Sequence, residues 1–180
     1  MSDERVSDPE RVSNERMSAP ERVRAPQLTH VRADGSAHMV DVSAKAVTAR
    51  SASAAGRVRL SADAVAALRA GALRKGDALA VARIAGISAV KRTPELIPLA
   101  HPIAVHGVEV DLAITEDGVE IGATVRTADR TGIEMEALTA VAVAALTVID
   151  MVKAVDKHGR ITDIRVTAKS GGRSGDWVES

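Results

Sequence analysis

Between residues 108 and 126 apolar and polar side chains alternate. Val108, Val110, Leu112 and Ile114 precede Asp117-Gly118, and Val119, Ile121, Ala123 and Val125 follow it. Period-two alternation on both sides of Asp-Gly predicts a β-hairpin. Residues 160–169 alternate less cleanly through Ile161, Ile164, Val166 and Ala168, and predict a further strand. Met39, Val40, Asp41 and Val42 suggest a strand at 39–42, and Val58 and Leu60 suggest an extended segment over roughly 48–60.

The period lengthens elsewhere. Ser61 is placed to cap a short helix, with Asp63 in its first turn and Val65, Ala66 and Leu68 at helical spacing before Gly71. After a Lys75-Gly76-Asp77 turn, residues 79–93 read as a second helix with Leu79, Ala82, Arg83 and Gly86 along one side; Pro94 and Pro98 stop it. The stretch IEMEALTAVAVAALTVIDMVKAV, residues 133–155, predicts a long helix from about 136 to about 157, closed by Lys157-His158-Gly159. A hairpin pairing with a late strand, with helices between, gives an α+β fold in which helices cover an antiparallel sheet; a ferredoxin-like arrangement fits best. The long helix is apolar on nearly every side, so it needs covering all round, as at an oligomer interface.

Residues 1–26 differ from the rest: ERV or ERM recurs with Ser, Asp, Asn and Pro between. Such a segment cannot bury enough apolar surface to offset its ordering entropy, and is expected to be a disordered polar tail ahead of one domain over 27–180. Phe and Tyr are absent and Trp177 is the only aromatic residue, so the core must be built of Val, Ile, Leu and Ala. Lys plus Arg and Asp plus Glu balance at 24 each, which gives no argument for a nucleic acid or an anionic membrane. The absence of cysteine removes disulfides, thiolate metal sites and cysteine nucleophiles. The five histidines lack helical i,i+4 pairs, so no metal site is expected. With no charge-free apolar run of membrane length and no signal-peptide pattern, a cytoplasmic location is the expectation.

The charges in the apolar stretch then stand out. On a helix, Glu136, Thr139, Val143, Leu146, Asp150, Lys153 and Lys157 share one stripe, while Glu134 joins Glu136 only if the lead-in is extended. Asp150 and Lys153 suit either a surface ion pair or chemistry; Glu134 and Glu136 suit either a helix dipole or a cleft. Glu136 and Asp150 are fourteen residues apart, about 21 Å of helix rise. Either they serve different sites, or a symmetric dimer brings one end of this helix beside the other end of its mate's. Lys75, Lys91-Arg92, and Lys169 with Arg173 among Gly171, Gly172 and Gly175 are cationic clusters suited to an anion, although SGGRSG also reads as a flexible tail. No Walker or dinucleotide fingerprint occurs. His101, between Ala100 and Pro102, has its backbone confined to extended conformations, which suits a ligand contact or a structural hydrogen bond.

The segments AHMVDVSAK, KGD, ARIAGI, AVKRTPELIPLAHP, TGIEMEALTAVAVAALTVIDMVKAV and AKSGGRSGDW together resemble the cyclic pyranopterin monophosphate synthase family, the MoaC-type enzymes of molybdenum cofactor biosynthesis, over about 28–177. The resemblance implies a ferredoxin-like subunit in a homohexamer, a trimer of dimers with active sites at the dimer interface. It implies conversion of a GTP-derived substrate, (8S)-3′,8-cyclo-7,8-dihydroguanosine 5′-triphosphate, supplied by an upstream radical SAM enzyme, into cyclic pyranopterin monophosphate and diphosphate. Carried across by motif, Asp150, Lys153 and Lys75 are catalytic, and Leu99, Ala100, His101, Met135 and Glu136 contact substrate. The family motif commonly has Cys where Ala100 stands, so a small residue is kept without the thiol.

On that footing Glu134, Glu136 and His101 grip the guanine-derived edge, and Lys91, Arg92, Lys169 and Arg173 are candidates to neutralise phosphate. No resident cofactor is called for, and Mg²⁺ accompanying the triphosphate is left open. The competing readings are a non-catalytic nucleotide sensor or RNA-binding scaffold using the same basic loops, and a purely structural oligomer.

Overall fold

The computed structural model describes residues 31, 32 and 34–180, so the expected tail over 1–26 lies outside the described residues. Five strands form one antiparallel sheet in the order β2-β3-β1-β4-β5: β1 Thr48–Arg59, β2 Gly107–Ile114, β3 Gly118–Asp129, β4 Arg160–Ser170 and β5 Trp177–Val178. Helices α1 Ala62–Arg69, α2 Ala78–Val90 and α3 Thr93–Leu96 lie between β1 and β2, and α4 Glu134–Val152 lies between β3 and β4. The first four strands with these crossovers make the ferredoxin-like pattern that the sequence predicts. The hairpin has the expected register, with Val108 opposite Val125 and Ile114 opposite Val119.

The roughly sketched segment at 48–60 is the central strand, paired along its length with β3 and β4. Its inward positions, Ala52, Ala54, Gly56 and Val58, are buried and small. A core without Phe or Tyr can be dense only if its elements approach closely. They do so at two glycines. A Cβ on Gly56 would stand 2.6 Å from Val141 Cγ1 of α4, and one on Gly86 of α2 would stand 2.9 Å from the Ala140 carbonyl oxygen.

Three boundaries differ from expectation. Residues 39–42 are not a strand: they run irregularly beside the loop that carries His101, tied to it by a bond from the His101 ring to the Val40 carbonyl. Pro94 does more than stop α2, because it sits in the first turn of α3, where its missing N–H costs nothing. Helix α4 begins at Glu134 and ends at Val152 rather than spanning about 136 to 157. Its exit is set by Asp156, whose carboxylate accepts from the Ser61 and His158 N–H groups at 2.7 and 2.8 Å and draws the chain out of the helix ahead of Gly159.

With nineteen residues and a mean hydropathy of 1.8 over an 18-residue stretch, α4 is long and apolar enough to cross a membrane. Ala137, Ala140, Val141, Ala144, Ala145 and Val148 are nonetheless buried against the sheet and α2, the position of a core helix.

Candidate active site

Asp150 and Lys153 lie at the C-terminal end of α4, and Lys75 lies in the turn between α1 and α2. Asp77 caps α2 by accepting from the Ala80 N–H, which shapes that turn together with Gly76 in the left-handed region at φ +89°. Lys75 Nζ then donates to Asp150 Oδ2 at 2.5 Å and to the Asp150 carbonyl at 3.0 Å, while Lys153 Nζ donates to Oδ1 at 2.7 Å. One carboxylate therefore bridges two ammonium groups from separate elements. The bonds from Lys153 and then Lys75 hold Asp150 down at about 2. All three side chains remain open to solvent.

At the other end of α4, a cleft of about 270 Å³ is lined by Leu99, Ala100 and His101 on one side and by Glu134, Met135 and Glu136 on the other. The expected extended lead-in is absent. Glu134 and Glu136 both occupy the first helical turn, so they diverge by about 200° around the axis and do different things. The Glu134 carboxylate folds back over the α-carbon of Gly132 and faces Lys169 Nζ at 3.5 Å. Glu136 is 2% exposed, and burial, with the Glu134 charge adding to it, raises its carboxyl to about 7. His101 Nε2 donates to the Val40 carbonyl at 2.7 Å, leaving Nδ1 as its remaining polar atom.

Two further clefts adjoin this one. Arg50, Glu134, Lys169, Gly171 and Ser174 line one of about 170 Å³, and Lys45, Arg50, Gly172 and Arg173 line another of about 280 Å³. Because Lys45, Arg50 and Glu134 are each shared between neighbouring clefts, the three form one groove running from carboxylates to cations. The family model described as MoaC matches residues 39–172.

The chain belongs to the MoaC family.

A cyclic pyranopterin monophosphate synthase of Streptomyces coelicolor is 64% identical over 154 residues, which cover 86% of this chain and 91% of that protein. The enzyme of the same name from Corynebacterium efficiens is 61% identical over 84% of this chain and 97% of its own length. Cyclic pyranopterin monophosphate synthase 2 of Mycobacterium tuberculosis is 57% identical over 86% and 93%.

Within this MoaC chain, Leu99, Ala100, His101, Glu134, Met135, Glu136 and Lys169 meet along the groove, and Lys75, Asp150 and Lys153 meet about a helix length away. Lys91 and Arg92 line neither place; Arg92 is exposed and pairs with Glu95 at 2.9 Å. Lys45 and Arg50 were not singled out from the sequence, yet both stand in the groove. Arg50 is fixed by donating to the Asp129 and Arg130 carbonyls at 2.9 and 3.2 Å, and Arg130 Nε holds the Lys45 carbonyl at 2.9 Å. The available signal was an arginine inside the run TARSASA, where a central strand otherwise carries only small residues. Among the described residues no group of three or more His, Asp or Glu is arranged to hold a metal ion.

Proposed function

We propose that this chain is a cyclic pyranopterin monophosphate synthase, acting on the GTP-derived (8S)-3′,8-cyclo-7,8-dihydroguanosine 5′-triphosphate in molybdenum cofactor biosynthesis, with a radical SAM enzyme upstream as the source of that substrate. The observation that carries this reading is the Asp150 carboxylate bridging Lys75 and Lys153 at 2.5 and 2.7 Å in a member of the MoaC family. The reaction reopens a purine-derived ring to build the pterin. It also closes a cyclic phosphate as a ribose hydroxyl attacks the α-phosphorus, the α–β anhydride bond breaks and diphosphate leaves. Both parts need proton transfer, and the second needs cations against the charge that grows on the leaving group. Asp150, ionised down to about pH 2, is the acceptor of the trio. The two ammonium groups hydrogen-bonded to it are the donors.

In the groove, Glu136 enters as a buried carboxyl with a proton to share, and Glu134 and His101 offer acceptors to the amide and amino edge of the base. Lys45, Arg50, Lys169 and Arg173 supply cationic charge toward the triphosphate. The chain's own groups thus provide the acid, base and electrostatic functions without a resident cofactor.

The helix length between groove and trio supports a site assembled from two chains, within a hexamer built as a trimer of dimers. The outer side of the helical layer favours such covering: Ile84 is 65% and Leu146 is 58% exposed. Mixing inactive Asp150→Asn chains with inactive Lys169→Ala chains tests it. Shared sites restore about a quarter of parental turnover, since half the dimers are mixed and each mixed dimer has one intact site. No recovery, after verified exchange of subunits, overturns the two-chain site; full turnover by each variant alone overturns the roles given to Asp150 and Lys169, and no turnover by the parent chain overturns the enzyme reading.

A further inference from the structure

Between β4 and β5 the chain turns through Gly171, Gly172 and Gly175, all in the left-handed region at φ +85°, +78° and +68°. Such a turn is accessible to glycine but is not fixed by it, because glycine is equally free to leave. Side-chain contacts require it to stay. A Cβ on Gly171 would collide with the Ala49 carbonyl, and one on Gly172 would collide with Nη1 of Arg50, so the Arg50 guanidinium lies directly against the turn. Lys169, at the turn's entrance, bonds Ser174 Oγ within it and faces Glu134 at 3.5 Å. The position of Lys169 thus depends on the shape of this turn, which packs against the Arg50 guanidinium held from β3.

One side chain closes the ring. Asp176 Oδ1 accepts from the Gly171 N–H at 2.9 Å across five residues, and the Ser170 side chain also donates to the carboxylate. These bonds hold the Asp176 carboxyl below its ordinary range. Directly after Asp176, Trp177 pairs with Lys169 across β4 and β5, so the closure is anchored on the strand that carries the lysine. A carboxylate at the exit of a cationic turn opposes anion binding through its charge, so electrostatics alone gives it no place there. Its use is geometric.

We propose that Asp176 is a positioning residue, which holds the turn 171–175 in the form that presents Lys169, beside Arg50, to the phosphates of the substrate. The proposal rests on the reading of this groove as the triphosphate site. It separates cleanly from an effect of charge, because the two have opposite signs. If Asp176 acted through its charge alone, removing it would tighten anion binding; if it holds the turn, losing the acceptor weakens binding although a negative charge has gone.

The test is calorimetric binding of inorganic diphosphate, the leaving group of the reaction, to the full-length protein, with KM and kcat measured on the same preparations. Asp176→Ala is expected to weaken diphosphate about tenfold and raise KM similarly, with kcat within about twofold, since the lost hydrogen bond acts on phosphate binding and not on the groups that transfer protons. Asp176→Asn keeps the Oδ1 acceptor and is expected to bind at least as tightly as the parent. Lys169→Ala reports on the underlying reading. If Lys169→Ala weakens diphosphate and Asp176→Ala does not, the positioning role is overturned while the groove stands. Equal weakening in Asp176→Ala and Asp176→Asn also overturns it, since the acceptor is then not what matters. Unchanged binding in Lys169→Ala removes the phosphate groove and the proposal with it.

Discussion

Lys75 and Asp150, seventy-five residues apart in the chain, form a 2.5 Å ion pair that joins the turn before α2 to the last turn of α4. Lys153 takes the other carboxylate oxygen. Since all three groups are exposed, the cluster adds little to stability, and its arrangement is free to serve chemistry.

Asp150→Asn should therefore separate activity from folding. Turnover is expected to fall about 10²- to 10⁴-fold. The thermal midpoint is expected to stay within about 2 °C of the parent, because exposed ion pairs contribute little. Product formation and calorimetry on one preparation check both. A variant that unfolds early would instead make the cluster structural.

Glu136 makes stability depend on pH with a definite sign. Its folded value of about 7 lies above the ordinary 4.5, so folding retains a proton that the unfolded chain releases. The stability it permits is fully present below about pH 4.5, declines as pH rises toward 7, and levels off beyond. Glu136→Gln removes the ionisation, so at pH 8 it should stabilise the chain by at most about 3 kcal/mol, and at pH 4 by almost nothing. Lys45, His101 and Glu134 line the same cleft in both proteins, so the difference between denaturant curves is the quantity to read. Equal gains at both pH values would count against burial as the cause.

Gly86 tests the close packing. Alanine within a helix normally gains up to about 1 kcal/mol over glycine. Here the added methyl would meet the Ala140 carbonyl at 2.9 Å and Ala144 Cβ at 3.3 Å. Overpacking of this kind costs about 1–3 kcal/mol, so Gly86→Ala should be net destabilising in urea unfolding. A stabilised variant would mean that α2 and α4 can separate at no cost.

Leu146, on the outer side of α4, tests assembly. Leu146→Glu places a charge where a partner chain would cover the helix, and is expected to give a smaller species by sedimentation with most turnover lost. An unchanged sedimentation coefficient would leave that face free of any partner.

How far residues alone lead is clearest at α4. Its apolar run and the Asp-Gly hairpin were legible because period and turn chemistry are local properties. The central strand was barely visible, since Ala52, Ala54 and Gly56 carry almost no hydrophobic signal and are small because α4 lies on them. The supposed strand at 39–42 has alternation without a neighbouring edge to pair with. The end of α4 was misplaced because Asp156 is held by Ser61, ninety-five residues earlier.

The candidate site divides in the same way. Motif similarity made candidates of Asp150, Lys153, Lys75, His101 and Glu136, because those residues lie in short recognisable runs. Lys45 and Arg50 become part of a groove only when β1 and the loop before it come to lie beside the 171–175 turn. Spacing along the chain gave Glu134 and Glu136 a common direction, and the first turn of α4 separated them, one toward Lys169 and one buried in the wall of the cleft. Local periodicity and turn residues determine which elements form, because their causes lie within a few neighbours. Which charges meet, and which carboxyl is stripped of water, was decided by contacts between segments tens of residues apart, since solvation and Coulomb energies depend on distance in space and not along the chain.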